Sequence, residues 1–507
     1  MEEQQNYPFP ETPQRPFFPS GKREFLFLLL ILATSWLLCN SVFYAGLNLG
    51  FSIFTGCTIL LSIGYLLWQG HKLTVYSGLL LGLSLVICGA FARSDDGFVK
   101  FIMFLFLILS SNLGLCLLTG QNRRKSEGIS SLLDVPRTVF MLGLGRCTES
   151  FRGVRQGVQE SGAWGRKGSA VGIGVLISIP LLVIVISLLI RADAAFAGLL
   201  QLLPDWNLGQ LVSSILFGTL LAGFFYSRGV ALHHFPKSEP PIRSRRGVSP
   251  FTINTVLVMI GIVYVAYLVS QLAYFSGGFA GILPEGYTTA EYARRGFFEM
   301  AWLCAINLSI MALGVGLVAK ERTAPLFTRL LCLFLGVVTL FLVASASAKM
   351  FLYIDSYGLT RLRLLTQVII FFLGITTVVV SVWLFVPKTA YMRVVLITAL
   401  VMGAAVAWAD VDTVVARHNV NGYLEGRYES IDVYYLDSLG NGAVPYIAQL
   451  MDDSDPVIAA DARIALRNRD QATWDDFRDW NYANFTAEEY YSRFQKYLFG
   501  PNAESSE

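Results

Sequence analysis

LFTRLLCLFLGVVTLFLVASASAKMFLYIDSYGLTRLRLLTQVIIFFLGITTVVVSVWLF (Leu326–Phe385) decides the fold. Two apolar runs, Leu326–Ala346 and Gln367–Phe385, flank a short stretch holding nearly all the charge. An apolar run of about 18 residues or more can cross a hydrocarbon core roughly 30 Å thick as a helix. A helix satisfies its own backbone, which lipid demands. The stretch therefore reads as two antiparallel membrane spans joined by a polar turn at Tyr353–Arg363.

The same reading extends along the chain. Further spans are expected near Phe25–Ala45, Leu47–Gln69, Val75–Ala92, Val99–Leu118, Ala170–Ile190, Leu208–Tyr226, Ile253–Tyr274, Phe297–Ala319 and Met392–Trp408. That makes about eleven in all. The Gly-interrupted run Leu208–Tyr226 and the first pair, joined by a very short turn, leave ten or twelve open. Composition agrees: of 507 residues, 54% are hydrophobic and 15% charged, and the mean hydropathy is +0.54. Those values exclude a disordered chain, a fibrous repeat and an ordinary cytosolic enzyme. The net charge of +3 is too even to suggest nucleic acid as a partner. The fold class expected is all-α: a polytopic transmembrane helical bundle with a small C-terminal soluble α-helical domain.

Lys and Arg set the orientation. With the N-terminus inside, inner segments hold about 21 basic residues and outer ones about eight. Eleven crossings then put the C-terminus outside. Five pieces follow: a disordered cytoplasmic 1–24, a first four-span group at 25–119, a basic inner loop at 120–168, a seven-span group at 169–408 and an extracytoplasmic helical domain at 409–507. The first span follows a long polar segment and lacks a small-residue cleavage site, so it is expected to stay as an anchor. Leu132, Leu133, Val139 and Phe140 among the charges of 120–168 suit a segment lying on anionic lipid.

The seven cysteines show no C-x-x-C spacing and read as small buried side chains. His233 and His234 lack the i, i+4 spacing of a metal pair and read as solvated loop residues. No phosphate-binding loop or serine-nucleophile elbow occurs, which disfavours an ATP-driven pump or a kinase. Neither a cofactor nor a metal is expected.

Charges at span ends carry the candidate site, because charge within lipid is costly and usually functional or paired. In AEYARRGFFE (Ala290–Glu299), Glu291, Arg295 and Glu299 recur every four residues on one helical face, with Arg294 beside them. In MFLYIDSYGLTRLRLLTQ (Met350–Gln367), Tyr353, Asp355, Tyr357, Arg361 and Arg363 lie between two spans. The topology brings both segments to the outer face, where they could bind an anion or brace the helix ends. The outer loop ARSDDG (Ala92–Gly97) offers a second feature, Asp95 and Asp96. Paired acids there are similar to those of membrane transferases using lipid-linked sugars, although Asp is also an ordinary turn residue.

Ala443–Arg469 resembles a single helical repeat of the HEAT or armadillo kind; one unit makes a plain helical hairpin the simpler expectation. The aromatic tail Trp474–Phe499 suits packing on its own domain or resting on the outer membrane interface.

At AEYARRGFFE, LYIDSYGLTRLRLLTQ (Leu352–Gln367), ARHNVNGYL (Ala416–Leu424) and IDVYYLDSLGNGAVP (Ile431–Pro445), the chain resembles a bacterial membrane family called domain of unknown function 4173. The resemblance covers about residues 170–450. It implies a multi-pass protein of the bacterial cytoplasmic membrane and no activity, substrate or catalytic residue. Three functions follow. The first is a non-enzymatic sensor or scaffold whose outer Arg/Tyr/acid cluster recognises a ligand and whose C-terminal domain engages a protein. The others are a transporter of a small anionic or lipid-like solute and a lipid-linked glycosyltransferase-like enzyme using Asp95 and Asp96.

Overall fold

A computed structural model of the chain describes residues 22–120, 134–144, 208–234, 248–278, 297–317, 325–386, 390–468 and 476–499, with isolated positions at 178, 185 and 189. The described residues are helical, without a strand. Eight helices are long and apolar enough to cross a membrane, as expected for a membrane-embedded protein: Arg23–Ala45, Leu49–Trp68, Gly97–Thr119, Gly209–His234, Pro250–Ser270, Leu326–Tyr357, Arg361–Phe385 and Tyr391–Ala409. Two more expected spans are shorter apolar helices, Val75–Ala90 and Glu299–Gly314. The remaining one, Ala170–Ile190, lies outside the described residues apart from three positions, as does most of the basic loop.

The chain divides into two compact units. The first comprises residues 1–81, 111–122 and 132–238. Its main helices are α1 (Lys22–Ala45), α2 (Leu49–Trp68) and, after α3 and α4 below, α5 (Leu208–His234). Helices α1 and α5 run antiparallel at close range. A Cβ at Gly218 would lie 2.8 Å from the Trp36 backbone, and one at Gly229 would meet the Phe27 ring. In lipid, no hydrophobic gain drives apolar helices together, so close backbone approach and hydrogen bonds between spans do that work. Trp36 Nε1 donates to Thr219 Oγ1 at 2.9 Å and Asn40 Nδ2 to Ser214 Oγ at 3.3 Å.

The second unit comprises residues 82–110, 123–131 and 239–507. It takes the C-terminal half of α3 (Val75–Ala90) and the N-terminal half of α4 (Gly97–Thr119). It also holds α6 (Pro250–Gly278), α7 (Phe297–Leu317), α8 (Leu326–Tyr357), α9 (Arg361–Phe385) and α10 (Tyr391–Ala409). Tyr264 of α6, Asn307 of α7 and Thr339 of α8 form one buried hydrogen-bonded chain of 2.8 and 3.1 Å. Helices α8 and α9 make the antiparallel hairpin read from the sequence. Its turn centres on Gly358 at φ +73°, a conformation that L side chains rarely adopt.

Beyond α10 come α11 (Val411–Leu424), α12 (Val433–Asp437), α13 (Val444–Ile447), α14 (Pro456–Asn468) and α15 (Tyr482–Phe499). They bury Val415, Val420, Leu436, Val444, Ile447, Ala462, Leu466 and Ala487 against one another. The Asp-Pro hairpin between α13 and α14 is present. Asp455 accepts from Val457 N at 2.8 Å, and Asp453 accepts from Tyr423 Oη at 3.1 Å. Five of the six described cysteines are buried, and none of the six is in a disulfide; Cys147 lies outside the described residues.

Candidate functional site at the α8–α9 turn

Within the second unit, the loop between α3 and α4, the α8–α9 turn and the α10–α11 junction meet at one end. Asp412 sits in the first turn of α11 and is 1% exposed. It accepts from Arg361 Nε and, at 2.6 Å, from Arg361 Nη2. The two-pronged geometry matches a guanidinium to a carboxylate. Gly440 N donates to the same carboxylate at 2.8 Å, and a Cβ at Gly440 would lie 2.9 Å from it. Asp96 Oδ2 stands 3.5 Å from Arg361 Nε. Its Oδ1 accepts from Phe98 N at 2.8 Å and Val99 N at 3.1 Å, capping α4. Tyr435 Oη accepts from the backbone N of Arg361 at 2.9 Å. Burial raises the Tyr435 phenol above its ordinary value, which the Arg361 contact partly offsets.

Asp410 joins α10 to α11 with φ +59°, the only described non-glycine residue at positive φ. It is buried and accepts from Thr413 Oγ1 at 2.6 Å and Ser94 Oγ at 3.0 Å. Burial raises its carboxyl above the usual range, and the two hydroxyls pull it part of the way back. Lys100, buried in α4, lies in the field of Asp95, Asp96 and Asp410. Asp95 itself is exposed.

The turn is bound from its other side by Asn419. Its Oδ1 accepts from Leu359 N at 2.7 Å and its Nδ2 donates to Leu359 O at 2.8 Å. Arg363 donates to the carbonyls of Gly358 and, at 2.8 Å, Tyr357; its guanidinium lies 4.0 Å from the Tyr353 ring centroid. Tyr428 Oη donates to Ile354 O at 3.3 Å and pairs with His418 Nε2 at 2.9 Å. Asp355 is exposed, in the field of His418 and Arg427.

Only part of the expected site forms this cluster. Arg361 stands at its centre, Arg363, Tyr353 and Tyr357 brace the turn, and Asp355 lies at its margin. Glu299 is exposed in the first turn of α7, with no ion pair among the described residues. Glu291, Arg294 and Arg295 lie outside the described residues. The carboxylate partners of Arg361 are instead Asp412, from the stretch assigned to the C-terminal domain, and Asp96, from the loop read as a possible enzyme site. The signal for Asp410 and Asp412 was present in WADVDT (Trp408–Thr413): two acids directly after a span, at the same end as Arg361.

The first unit carries a polar cluster that the sequence reading missed. Glu24 is buried and accepts from Gln69 Nε2 at 2.6 Å and Tyr65 Oη at 3.4 Å, with His234 Nε2 at 4.0 Å. His233 Nδ1 lies 3.1 Å from His71 Nε2, and its ring packs on His234. His233 and His234 end α5 rather than float in a loop, because the helix continues past Tyr226 to His234. Arg228 is likewise buried within α5. Among the described residues, no group of three or more His, Cys, Asp or Glu is placed to hold a metal ion.

No curated protein and no solved structure matches the chain. One family model does match, over residues 25–450. It corrects the resemblance above in two respects: the number is 4153, not 4173, and the match takes in the first four helices as well. With most of its length so matched, the chain belongs to the family described as Domain of unknown function (DUF4153).

Proposed function

We propose that this is a non-enzymatic sensor or scaffold of the bacterial cytoplasmic membrane, in which the C-terminal helical layer receives a ligand or protein partner. In this reading the chain crosses about eleven times, with its N-terminus inside and residues 409–507 outside. The observation that carries it is the pairing at the α8–α9 turn. Arg361 is taken up by Asp412 and Asp96, and Arg363 by two carbonyls and a ring. An anion site needs cationic donors left over for the ligand after the protein's own carboxylates are served. Here Arg361 fastens α11 to the start of α9, and Arg363 ties α9 to the end of α8. Asp96 is spent on capping α4 and on Arg361, which weighs against a transferase role for it. The basic segment 120–168 would anchor the inner face on anionic lipid.

Two measurements test this. Protease added to intact spheroplasts should remove the C-terminal layer; survival there, with digestion after lysis, would reverse the topology. Asp95→Asn, tested in a host whose phenotype depends on the chain, should retain function. Loss of function at normal abundance would favour the transferase instead.

A further inference from the structure

We propose that the exposed face of α15 is a membrane-contacting shelf, seated at the boundary between lipid headgroups and acyl chains where α3 ends. The argument begins with length. Helix α3 has 16 residues, about 24 Å, and falls roughly 6 Å short of an ordinary hydrocarbon core. A short span needs thinned lipid or additional apolar and aromatic surface at its end. The structure places such surface there. Tyr482 N, at the start of α15, donates to Ala92 O at 2.9 Å, just past the last turn of α3. Trp408, at the end of α10, donates through Nε1 to Val86 O of α3 at 3.0 Å. Arg93 joins the two, with Nε donating to Trp408 O at 3.1 Å and its guanidinium 3.9 Å from the Tyr482 ring centroid.

These contacts make one continuous strip. Val86 and Trp408 are exposed on helices of the bundle, and the strip continues onto α15 through Tyr482 (41% exposed) and Phe485 (50% exposed). Trp480 packs beside Phe485, with ring centroids 6.1 Å apart. Tyr482 and Phe485 are three residues apart and so share a helix face, while Ala483 and Ala487 turn inward to the core of the layer. Trp, Tyr and a neighbouring Arg are the side chains that settle at a membrane interface, with rings toward the acyl chains and polar atoms toward water. Continuity with the surface of α3 identifies the occupant as the surrounding bilayer rather than a separate protein. The inference does not depend on the sensor reading: a transporter or enzyme with this fold would carry the same shelf.

The test uses the full chain in phosphatidylcholine nanodiscs. A bimane fluorophore is coupled to Phe485→Cys and, separately, to Glu425→Cys, an exposed position at the end of α11; signal from the unsubstituted chain is subtracted. Lipids carrying a nitroxide near the headgroup should quench the first probe roughly threefold more than the second. Lipids carrying it near the acyl terminus should quench the first probe less. Equal quenching at the two positions, in both lipids, would overturn the proposal. If Phe485→Cys fails to fold, Thr486→Cys places the probe on the adjacent edge and decides the question by the same comparison.

Discussion

Arg361 and Asp412 show at the scale of single residues why charge is tolerated at the end of these spans. Asp412 is buried to 1% exposure, so removal of its partner leaves a carboxylate held by the Gly440 N–H and no cation on its other oxygen. Arg361 is itself 37% exposed, so Arg361→Ala should cost about 2 kcal/mol, less than the loss of a fully buried pair. Thermal unfolding in detergent checks it. The double variant Arg361→Ala with Asp412→Ala should recover part of the loss, because no charge is then stranded. Asp410 makes a different case, since its backbone as well as its carboxyl is unusual. At φ +59°, Asn is tolerated far better than Ala. Asp410→Ala should therefore cost about 1–3 kcal/mol through strain and two lost hydrogen bonds, and Asp410→Asn clearly less.

His418 adds a pH dependence with a definite sign. Burial first, and the Arg427 guanidinium second, hold its imidazole below the ordinary value of 6.5. The folded state then binds fewer protons than the unfolded chain between the lowered value and 6.5. The contribution is full above that window and is lost as pH falls through it. Asp410 acts in the opposite sense: its raised carboxyl makes stability fall as pH climbs from 3.8 through the raised value. Melting midpoints measured from pH 7 downward should thus decline as His418 is driven to protonate. His418→Gln should flatten that decline without changing the Asp410 limb at lower pH.

At the scale of elements, small residues and paired amides set the packing. A larger side chain at Gly218 cannot be absorbed by a flexible neighbour, because the nearest atoms include the Trp36 backbone. Gly218→Leu should separate α1 from α5 and lower folded yield in membranes, whereas Gly64→Leu, with nothing within 4 Å, should be accepted. The α8–α9 turn depends on α11 in the same way. Asn419 satisfies both backbone groups of buried Leu359, so Asn419→Ala leaves a buried donor and acceptor unpaired. A loss of about 2 kcal/mol is expected in the melting midpoint, with protease cleavage appearing near the turn. The spans themselves were legible as runs of apolar residues, and α8 and α9 match the hairpin closely. Their ends were harder to place. Helix α8 continues to Tyr357 and α9 begins at Arg361, so the polar residues read as a loop are mostly in helical turns. Hydropathy marks where lipid is entered; only backbone hydrogen bonding marks where a helix stops.

For the molecule as a whole, composition and the periodless apolar runs determined an all-helical, membrane-embedded chain, since lipid leaves the backbone few alternatives. The loop at Arg93, the α8–α9 turn and the end of α10 meet within the second unit. The pairing among them was beyond the reach of sequence. Arg361 had several acids within its expected end of the bundle, and its choice of Asp412 and Asp96 depends on how α4, α9 and α11 approach one another. The stacking of Arg93 on Tyr482 and the histidine contacts at Glu24 have the same origin. Local hydrophobicity is a property each segment carries by itself, whereas a charge pair is fixed only when packed backbones bring distant positions within about 3 Å.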